Sequence, residues 1–369
     1  MNDVQYMARA LELARHGRFT TAPNPNVGCV IVRDGEIVGE GYHQRAGEPH
    51  AEVHALRMAG DKARGATAYV TLEPCSHHGR TPPCADALIA AGVSRVVAAM
   101  QDPNPAVAGR GLYRLQQAGI AVEHGVLQTE AEALNKGFFK RMRTGFPYIQ
   151  LKLAASADGR TAMASGESQW ITGPAARRDV QVFRAQAGAI LTGSGTVLAD
   201  DPSLNVRHAD LPADIQAAYP SAALRQPLRV VVDSRNQVRP EHRLAHVDGE
   251  VCLARLSADT QDWPETVRQL TVPANREGKV DLVTLMMQLG RMQINQVWVE
   301  GGAQLAGALF AAGLVDELVL YLAPKLLGDS ARGLIALPGL ESLAQAPQFR
   351  FADVQQVGED LRLIMLPQY

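Results

Sequence analysis

Three side chains of types that bind metals are far apart in this sequence, yet each stands at the predicted start of a helix or end of a strand. They are His50, before a helix predicted over 51–60, Cys75, past a buried strand predicted over 66–72, and Cys84, at the start of a helix predicted over 84–91. Prolines just before two of these sites favour the helix starts. Helix starts also favour anions and lower the pKa of thiols. A fold that unites the three side chains must bring two helix starts to the end of one strand.

The chemistry of this group of side chains is that of a catalytic zinc site. One imidazole and two thiolates supply three protein ligands, which leaves the fourth position of zinc open for water. Glu52 stands two residues after His50 and can move the protons of that water without being a ligand. An H-x-E segment followed by P-C-x-x-C is typical of zinc deaminases, although here eight residues separate Cys75 from Cys84 instead of two.

Other histidines near this group leave alternatives open. His50 and His54 are four residues apart and could share a metal, but the metalloprotease pattern requires Glu directly after the first histidine, where Ala51 stands. His77 and His78 could also ligate a metal, although the loop favours a role for them in substrate contact or in solvent. By itself, the pair of cysteines would predict ordinary buried thiols.

Composition and charge exclude several classes of protein. The chain has 369 residues, a formal net charge of −2 and four cysteines. The charge gives no sign of a nucleic-acid surface, and four cysteines do not form a disulfide framework. The N-terminal stretch has the spacing of an amphipathic helix rather than a signal peptide, and no apolar stretch approaches the ~18 residues that span a membrane. We therefore expect a soluble cytoplasmic protein without nucleic-acid or membrane partners, in which Cys29 and Cys252 are core residues.

Alternating helix and strand patterns predict two domains, 1–145 and 146–369, each with a sheet covered by helices. In the first, the pattern predicts further helices at 3–16, near 109–118 and from about 128, and further strands at 27–33, 36–43, 93–100 and 120–124. In the second, it predicts helices at 174–186 and 303–312 and strands at 148–153, 188–193, 228–233, 296–300, 316–323, 348–357 and 360–366. The stretch 208–226 is predicted as a loop or short helix.

Two glycine segments of the second domain bear on ligand binding. The strand predicted over 296–300 ends in Gly301-Gly302 and a helix follows, an arrangement whose N–H groups bind phosphate, although a plain tight turn fits as well. The segment 193–196 is not a dinucleotide fingerprint, because Leu198 stands where a third glycine is needed.

Nearly the whole chain resembles the bifunctional riboflavin-biosynthesis enzymes, in which a pyrimidine deaminase is fused to a pyrimidine reductase. The motifs of the deaminase half stand here as Pro23-Asn24-Pro25-Asn26-Val27-Gly28, His50-Ala51-Glu52 and the segment 74–84, whose long cysteine spacing distinguishes this family from cytidine and tRNA-editing deaminases. The motifs of the reductase half stand at 152–160, 168–173, 193–197, 200–207 and 300–302. Ala157 departs from the bulkier Leu that is common at its position.

For the first domain, the resemblance implies a cytidine-deaminase-like three-layer fold with one Zn2+ held by His50, Cys75 and Cys84. The metal would lower the pKa of its water toward ~7, from 15.7 in bulk. Glu52 would take the proton and pass it to the leaving amine. Asn24 is a candidate contact to the pyrimidine. The substrate would be a diaminopyrimidinone carrying a phosphoribosylamino group, and the product the corresponding 5-amino uracil.

For the second domain, the resemblance implies a dihydrofolate-reductase-like α/β fold in which NADPH reduces the ring-opened ribose to a ribityl chain. The implied cofactor contacts are Ala154, Trp170, Thr196, Asp200, Ser234, Gly302, Ala303, Gln304, Leu305, Ala306, Gly307 and Ala308. The implied substrate contacts are Ser168, Arg184, Leu204, Arg207 and Glu300, of which the two arginines can fork onto a phosphate. Lys152 and Asp158 are candidate proton donors. Enzymes of this class are commonly homo-oligomers, so a dimer or tetramer is expected.

Two rival hypotheses come from other classes of protein. One is a deaminase of free nucleosides, or of bases in RNA, with a degenerate second domain; the cysteine spacing, the charge and the intact motifs of the second half argue against it. The other is a structural zinc staple joined to a nucleotide-sensing module. Structural zinc normally has four protein ligands, whereas the motif here supplies three.

Overall fold

The computed structural model describes residues 2–76, 83–104 and 107–368. The chain divides into two compact units, Met1–Gly145 and Phe146–Tyr369. Each unit contains its own main sheet and its own hydrophobic clusters. Among the described residues, none of the helices combines the length and the apolarity that crossing a membrane requires.

The first unit is a five-stranded sheet between two layers of helices. Its strands, in the spatial order β2-β1-β3-β4-β5, are antiparallel around β1 and parallel from β3 to β5. The strands are β1 (Gly28–Arg33), β2 (Glu36–Tyr42), β3 (Thr67–Val70), β4 (Arg95–Ala98) and β5 (Ala121–His124). The helices are α1 (Asp3–Ala14), α2 (Ala51–Ala59), α3 (Cys84–Ala91), α4 (Arg110–Gln117), α5 (Gln128–Leu134) and α6 (Lys136–Thr144).

Alternating side chains of the strands feed two cores, one on each face of this sheet. Cys29 and Ile31 pack with the buried faces of α2, α3 and α4, whereas Val30 and Val32 pack with those of α1 and α6. This period of two is what a strand covered on both faces requires. The expected three-layer fold of the first domain is therefore confirmed.

Glycines in β2 let helix α2 lie directly on the sheet. A Cβ added at Gly41 would lie 2.4 Å from the carbonyl oxygen of Ala51, and one at Gly39 would lie 2.2 Å from that of Ala55. Only glycine allows so close an approach of two backbones. This contact fixes the start of α2, where His50 stands.

The second unit is built on a nine-stranded sheet with the order β11-β10-β9-β8-β12-β6-β13-β16-β15. The strands of this unit, including the short pair β7 and β14, are β6 (Tyr148–Ser156), β7 (Arg160–Ala162), β8 (Ala189–Gly193), β9 (Leu228–Val232), β10 (Val251–Arg255), β11 (Val267–Thr271), β12 (Gln296–Glu300), β13 (Glu317–Ala323), β14 (Arg332–Gly333), β15 (Gln348–Val357) and β16 (Asp360–Gln368). The helices are α7 (Pro174–Gln186), α8 (Ser194–Asp200), α9 (Ala213–Ala218), α10 (Leu282–Arg291) and α11 (Ala303–Ala311).

Seven neighbouring strands of this sheet, from β11 to β13, are parallel, so their carboxyl ends share one edge. Helices α10 and α11 cover one face, and α7 covers part of the other. Ligands of open parallel sheets bind beyond the carboxyl ends of the strands. The expected α/β fold of the second domain is confirmed. The carboxyl edge of its sheet is the expected place for a ligand site.

Most predicted elements are confirmed, with differences of a few residues at their ends. The helices predicted over 84–91 and 174–186 and the strands predicted over 296–300 and 348–357 have the predicted bounds. The helix predicted from 128 is two helices separated by Asn135. The side chain of Asn135 accepts from the N–H of Asn26 at 2.7 Å and donates to its carbonyl at 2.8 Å, and this long-range pairing interrupts the helix.

Candidate active sites

The three predicted metal ligands of the first unit lie together in the structure. His50 immediately precedes α2, Cys84 is the first residue of α3, and Cys75 follows β3. Nδ1 of His50 is 3.3 Å from Sγ of Cys84 and 3.6 Å from Sγ of Cys75, and the backbone N–H of Cys84 donates to Sγ of Cys75 at 3.3 Å. All three ligand atoms lie within 4.8 Å of one another.

This geometry suits zinc. With Zn–S bonds of about 2.3 Å and Zn–N bonds of about 2.0 Å, the ligand atoms of a tetrahedral site lie about 3.6 Å apart. The distances here match that spacing with little movement. Within the described part of the chain, this is the one group of three or more His, Cys, Asp or Glu side chains that could hold a metal ion. A set of three protein ligands also keeps one coordination position for water or substrate.

The two thiols of the group differ in acidity because they share a proton. A hydrogen bond from Cys84 lowers the pKa of Cys75 to about 4, burial opposes that shift, and His50 adds to it. The same hydrogen bond, together with burial, raises the pKa of Cys84. A thiolate is therefore already favoured at Cys75, and a divalent cation needs to displace the proton of Cys84 to engage both sulfurs.

Glu52 lies in the first turn of α2, beside the ligand group. Its side chain is buried, with 3% of the residue exposed. Burial raises the pKa of its carboxyl and the nearby His50 opposes that shift. A buried carboxyl with a raised pKa is suited to accept and return a proton near neutral pH.

Asn24 has a partner that sequence reasoning missed. Its Nδ2 lies 3.1 Å from Nε2 of His43, whose Nδ1 lies 3.1 Å from the carbonyl oxygen of Pro49. His43 is buried, and its ring meets that of His50 edge-on at 5.2 Å between centroids. The carbonyl favours a proton on Nδ1, so Nε2 can accept from Asn24. His43 follows β2 without any motif, and only the pairing of distant segments brings it to the site.

The competing histidines have different outcomes. His54 is not part of the ligand group, although it stands one turn after His50 on α2. His77 and His78 lie outside the described residues, as do Arg80 and the first of the two prolines before Cys84. Their roles therefore stay predictions.

In the second unit, strand pairing places Lys152 beside Glu300 at the carboxyl edge of the sheet, and helix α7 adds Arg184. Lys152 and Glu300 are paired across β6 and β12. Nε and Nη2 of Arg184 donate to the two carboxylate oxygens of Glu300 at 2.6 and 2.9 Å, and Nη1 donates to the carbonyl of Asn205 at 3.0 Å. Burial alone would raise the pKa of Glu300, but Arg184 and Lys152 together hold it at about 2.

Of the two candidate proton donors, Lys152 is the better placed. Burial lowers the pKa of its ammonium group, and Glu300 opposes that shift. The carboxylate of Asp158 instead accepts from the hydroxyl of Ser156 and from the backbone N–H groups of Leu327 and Gly328. These bonds lower the pKa of Asp158 to about 2, so it is a poor donor at neutral pH.

Most predicted cofactor contacts of the second unit lie at or near this edge. Ala154 lies in β6, Thr196 and Asp200 lie in α8 after β8, Ser234 follows β9, and Gly302 precedes α11 after β12. Cβ atoms added at Gly195 or Gly302 would meet nothing within 4 Å, so the backbone there is open to a ligand. Trp170 is 64% exposed, with the guanidinium of Arg177 4.5 Å from its ring.

Helix α11 presents only part of the predicted run 302–308 to solvent. Ala306 is buried in the core, and a Cβ added at Gly307 would lie 1.8 Å from the carbonyl oxygen of Ala336. Gln304 and Ala308 are exposed, and Ala303 and Leu305 are half-buried. A cofactor at this helix start would therefore meet the first turn, and the role of the run stays a prediction.

The predicted substrate contacts differ in how freely they can meet a ligand. The guanidinium of Arg184 already donates to both carboxylate oxygens of Glu300, so this arginine is suited to hold Glu300 in place. Arg207 is half-exposed and pairs with Asp210 at the surface, so it is the freer cation for a phosphate. Leu204 is buried, with a left-handed φ of 49°, and Ser168 lies in the loop before α7.

Comparisons with known proteins find one protein family that matches the first unit and another that matches the second. The sequence matches the RibD C-terminal domain over residues 147–363 and the zinc-binding region of cytidine and deoxycytidylate deaminases over residues 1–100. The riboflavin biosynthesis protein RibD of Escherichia coli K12 is 72% identical over 98% of this chain and 99% of its own length. The solved structure of Acinetobacter baumannii RibD is 47% identical, with a TM-score of 0.91 over 100% of this chain and 99% of that one.

A third relative is a solved structure of a deaminase/reductase. The crystal structure of a diaminohydroxyphosphoribosylaminopyrimidine deaminase/5-amino-6-(5-phosphoribosylamino)uracil reductase from Thermotoga maritima is 33% identical, with a TM-score of 0.86 over 99% of both chains. Sequence and structure thus agree over nearly the whole length of each protein. This chain belongs to the RibD family of riboflavin biosynthesis proteins.

Proposed function

We propose that this chain is a bifunctional enzyme of riboflavin biosynthesis. Residues 1–145 would deaminate 2,5-diamino-6-(phosphoribosylamino)pyrimidin-4-one to 5-amino-6-(5-phosphoribosylamino)uracil, and residues 146–369 would reduce the ribosyl group of that product to ribityl. The observation that carries the proposal is the group of His50, Cys75 and Cys84 beside the buried carboxyl of Glu52, in a chain whose second unit belongs to the RibD reductase family.

In the deaminase unit, His50, Cys75 and Cys84 would hold one Zn2+. When bound, the metal supplies Lewis acidity that makes water a nucleophile near neutral pH. Glu52 accepts the proton of the attacking water and returns it to the departing amine, which leaves as ammonia. Asn24, held by His43, contacts the pyrimidine and orients it.

In the reductase unit, the first turn of α11 and the start of α8 would hold NADPH at the carboxyl edge of the sheet. When bound, this cofactor would supply the hydride for the reduction. Arg184 orients Glu300, and Glu300 holds Lys152 beside the reacting group, where its ammonium can supply the accompanying proton. Arg207 is proposed to bind the substrate phosphate.

A coupled assay tests the proposal. The zinc-loaded protein is supplied with the diaminopyrimidinone phosphoribosylamine and NADPH, while ammonia release and NADPH absorbance are followed together. We expect both signals, with ammonia forming even when NADPH is omitted. If ammonia appears but NADPH is never consumed, the second unit is not the proposed reductase.

Removal of zinc should separate the two activities. A chelator is expected to stop ammonia release, because the ligand group lies wholly in the first unit. Reduction of the deaminated intermediate should be unchanged, since hydride transfer needs no metal there. The measurement is each rate before and after chelation, followed by zinc addition to restore deamination. Equal loss of both rates in a folded protein would contradict two independent sites.

We also propose that the protein is a homo-oligomer that pairs through the outer strands of the second sheet. The face shared by β15 and β16 exposes Phe351 (65%), Val354 (57%) and Leu361 (41%). Register places Phe351 opposite Met365 and Val354 opposite Leu363, so these apolar side chains lie on one face. Exposed apolar surface of this kind marks an interface, and a second copy of this chain would cover it.

A charge on this face should dissociate the oligomer. Val354→Glu is expected to shift the particle from a dimer or tetramer to a single chain, because pairing would bury an unmatched carboxylate. Light scattering after gel filtration measures the mass. Gln348→Glu is the matched control, since Gln348 alternates to the opposite face of the same strand. A wild-type protein that is already a single chain would refute the proposal.

A further inference from the structure

A buried carboxylate outside the ligand group connects the metal site to helix α4. Glu73 stands two residues before Cys75, and 4% of it is exposed. Its Oε2 accepts from the backbone N–H groups of Asp102 at 3.1 Å and Gly109 at 2.9 Å. Its Oε1 accepts from those of Gly111 at 2.8 Å and Leu112 at 3.4 Å. One side chain thus gathers four N–H groups from the segment that follows β4.

Two of these groups belong to the first turn of α4, which has no cap of its own. The residue before this helix is Gly109, and no side chain of that residue can accept from the helix start. The first N–H groups of a helix need outside acceptors, and a negative charge there is favoured by the helix dipole. Glu73 supplies both from a distant part of the sequence.

The start of α4 also bears directly on the chain next to Cys75. A Cβ added at Gly111 would lie 1.9 Å from the carbonyl oxygen of Pro74. Further along α4, Arg114 pairs with Asp86 of α3 at 2.6 Å. Helix α4 therefore contacts the segment of one cysteine ligand and is tied to the helix that begins with the other.

We propose that Glu73 is a positioning residue for the metal site. By holding the start of α4 against Pro74, it fixes the backbone of Cys75 and hence the place of one sulfur relative to the other two ligand atoms. Groups that orient metal ligands in this way are typically worth roughly 10- to 100-fold in metal affinity. This inference rests on the proposed zinc site.

The test is Glu73→Gln in the full chain. The amide keeps the size of the side chain but sets an NH2 group against two of the four N–H donors. We expect zinc affinity, measured by competition with a chromogenic chelator, to fall roughly 10- to 100-fold. The thiolate absorption bands of the cobalt-substituted protein should change as well, since the Cys75 sulfur is displaced. NADPH-dependent reduction of the deaminated intermediate should be unaffected.

Two further variants define the comparison. Glu36→Gln removes an exposed carboxylate of the same unit and should leave zinc affinity and the cobalt spectrum unchanged. Gly111→Ala keeps the carboxylate but pushes a methyl group against Pro74, and it should weaken zinc binding too. If Glu73→Gln binds zinc within twofold of wild type and the cobalt spectrum is unchanged, the inference is overturned but the proposed function stands. A wild-type protein that binds no zinc overturns the proposed function with it.

The wild-type protein gives a second measurement if Glu73→Gln does not fold. Coupling between two sites is reciprocal, so removing zinc should speed hydrogen exchange at the amides of Asp102, Gly109 and Gly111. The inner turns of α1 serve as the internal reference. The inference is overturned if hydrogen exchange at these three amides rises no more than exchange in α1.

Discussion

Glu52→Gln will lower the rate of ammonia release by a factor of about 10² to 10⁴, which is the usual contribution of a positioned acid–base group. Gln has the shape of Glu but cannot take a proton from water and return it to the amine. The site offers little to replace the carboxyl, because Glu52 is buried beside the ligand group and solvent reaches only 3% of it. Zinc content should stay at the wild-type level, since Glu52 is not one of the three clustered ligands.

The controls for this variant lie in the same protein. Reduction of the deaminated intermediate by NADPH should proceed at the wild-type rate, which shows that the second unit is folded and active, while the retained zinc content reports on the first unit. Glu48→Gln changes an exposed carboxylate just before the same helix and should release ammonia normally. Full deamination by a zinc-loaded Glu52→Gln protein would contradict the proposed mechanism and favour the structural-zinc hypothesis.

Arg184→Ala will abolish reduction and destabilise the second unit by about 3–5 kcal/mol. The arginine donates to both oxygens of Glu300, and the two side chains are only 11% and 15% exposed. Removal of Arg184 leaves the buried carboxylate of Glu300 without its two charged hydrogen bonds, although the nearby charge of Lys152 still favours the ionised form of that carboxylate. All three tryptophans lie in this unit, and Trp298 is buried next to Glu300. Tryptophan fluorescence during urea unfolding therefore measures the loss.

A second pair of variants separates stability from chemistry. Arg184→Met combined with Glu300→Leu replaces the ion pair with apolar side chains, so it should recover much of the stability but none of the reduction. Arg178→Ala removes an exposed arginine of the same helix and should change neither. Normal reduction by the Arg184→Ala protein would show that Glu300 needs no such support.

The stability lost in Arg184→Ala should depend on pH in a defined direction. The pKa of Glu300 falls from its usual 4.5 to about 2 in the folded protein, against the effect of burial and because of Arg184. A lowered carboxyl pKa stabilises the folded state above the unfolded pKa, and this contribution is lost as the pH falls toward the folded value. The difference between wild type and variant should therefore shrink between about pH 5 and pH 2.

Local signals in the sequence predicted those parts of the molecule that local chemistry determines. The grouping of His50, Cys75 and Cys84 was predictable because prolines mark the helix starts and the residue types together match a known motif. The helix 174–186 begins at a proline, and the strand 296–300 is an apolar run that ends in glycines. Such signals need no knowledge of distant residues.

The parts that could not be predicted depend on contacts between distant segments. Helix α8 begins Ser194-Gly195 and has the composition of a turn, but Val197 packs into a core with β9 and β10 and holds it helical. Tertiary packing overrides propensity there. Asn135, His43 and Glu73 act through partners 19 to 109 residues away, and no short window of sequence contains such a pairing.

The separation of the cores at Gly145 changes what a measurement of heat resistance on this protein means. Among the described residues, each buried cluster lies on one side of that glycine, and all tryptophans of the sequence lie on the later side. A melting curve followed by tryptophan fluorescence therefore reports only on the later half, and the earlier half needs a second probe. No single melting temperature describes such a chain. A preparation whose tryptophan fluorescence is that of a folded protein can therefore still contain an unfolded first half.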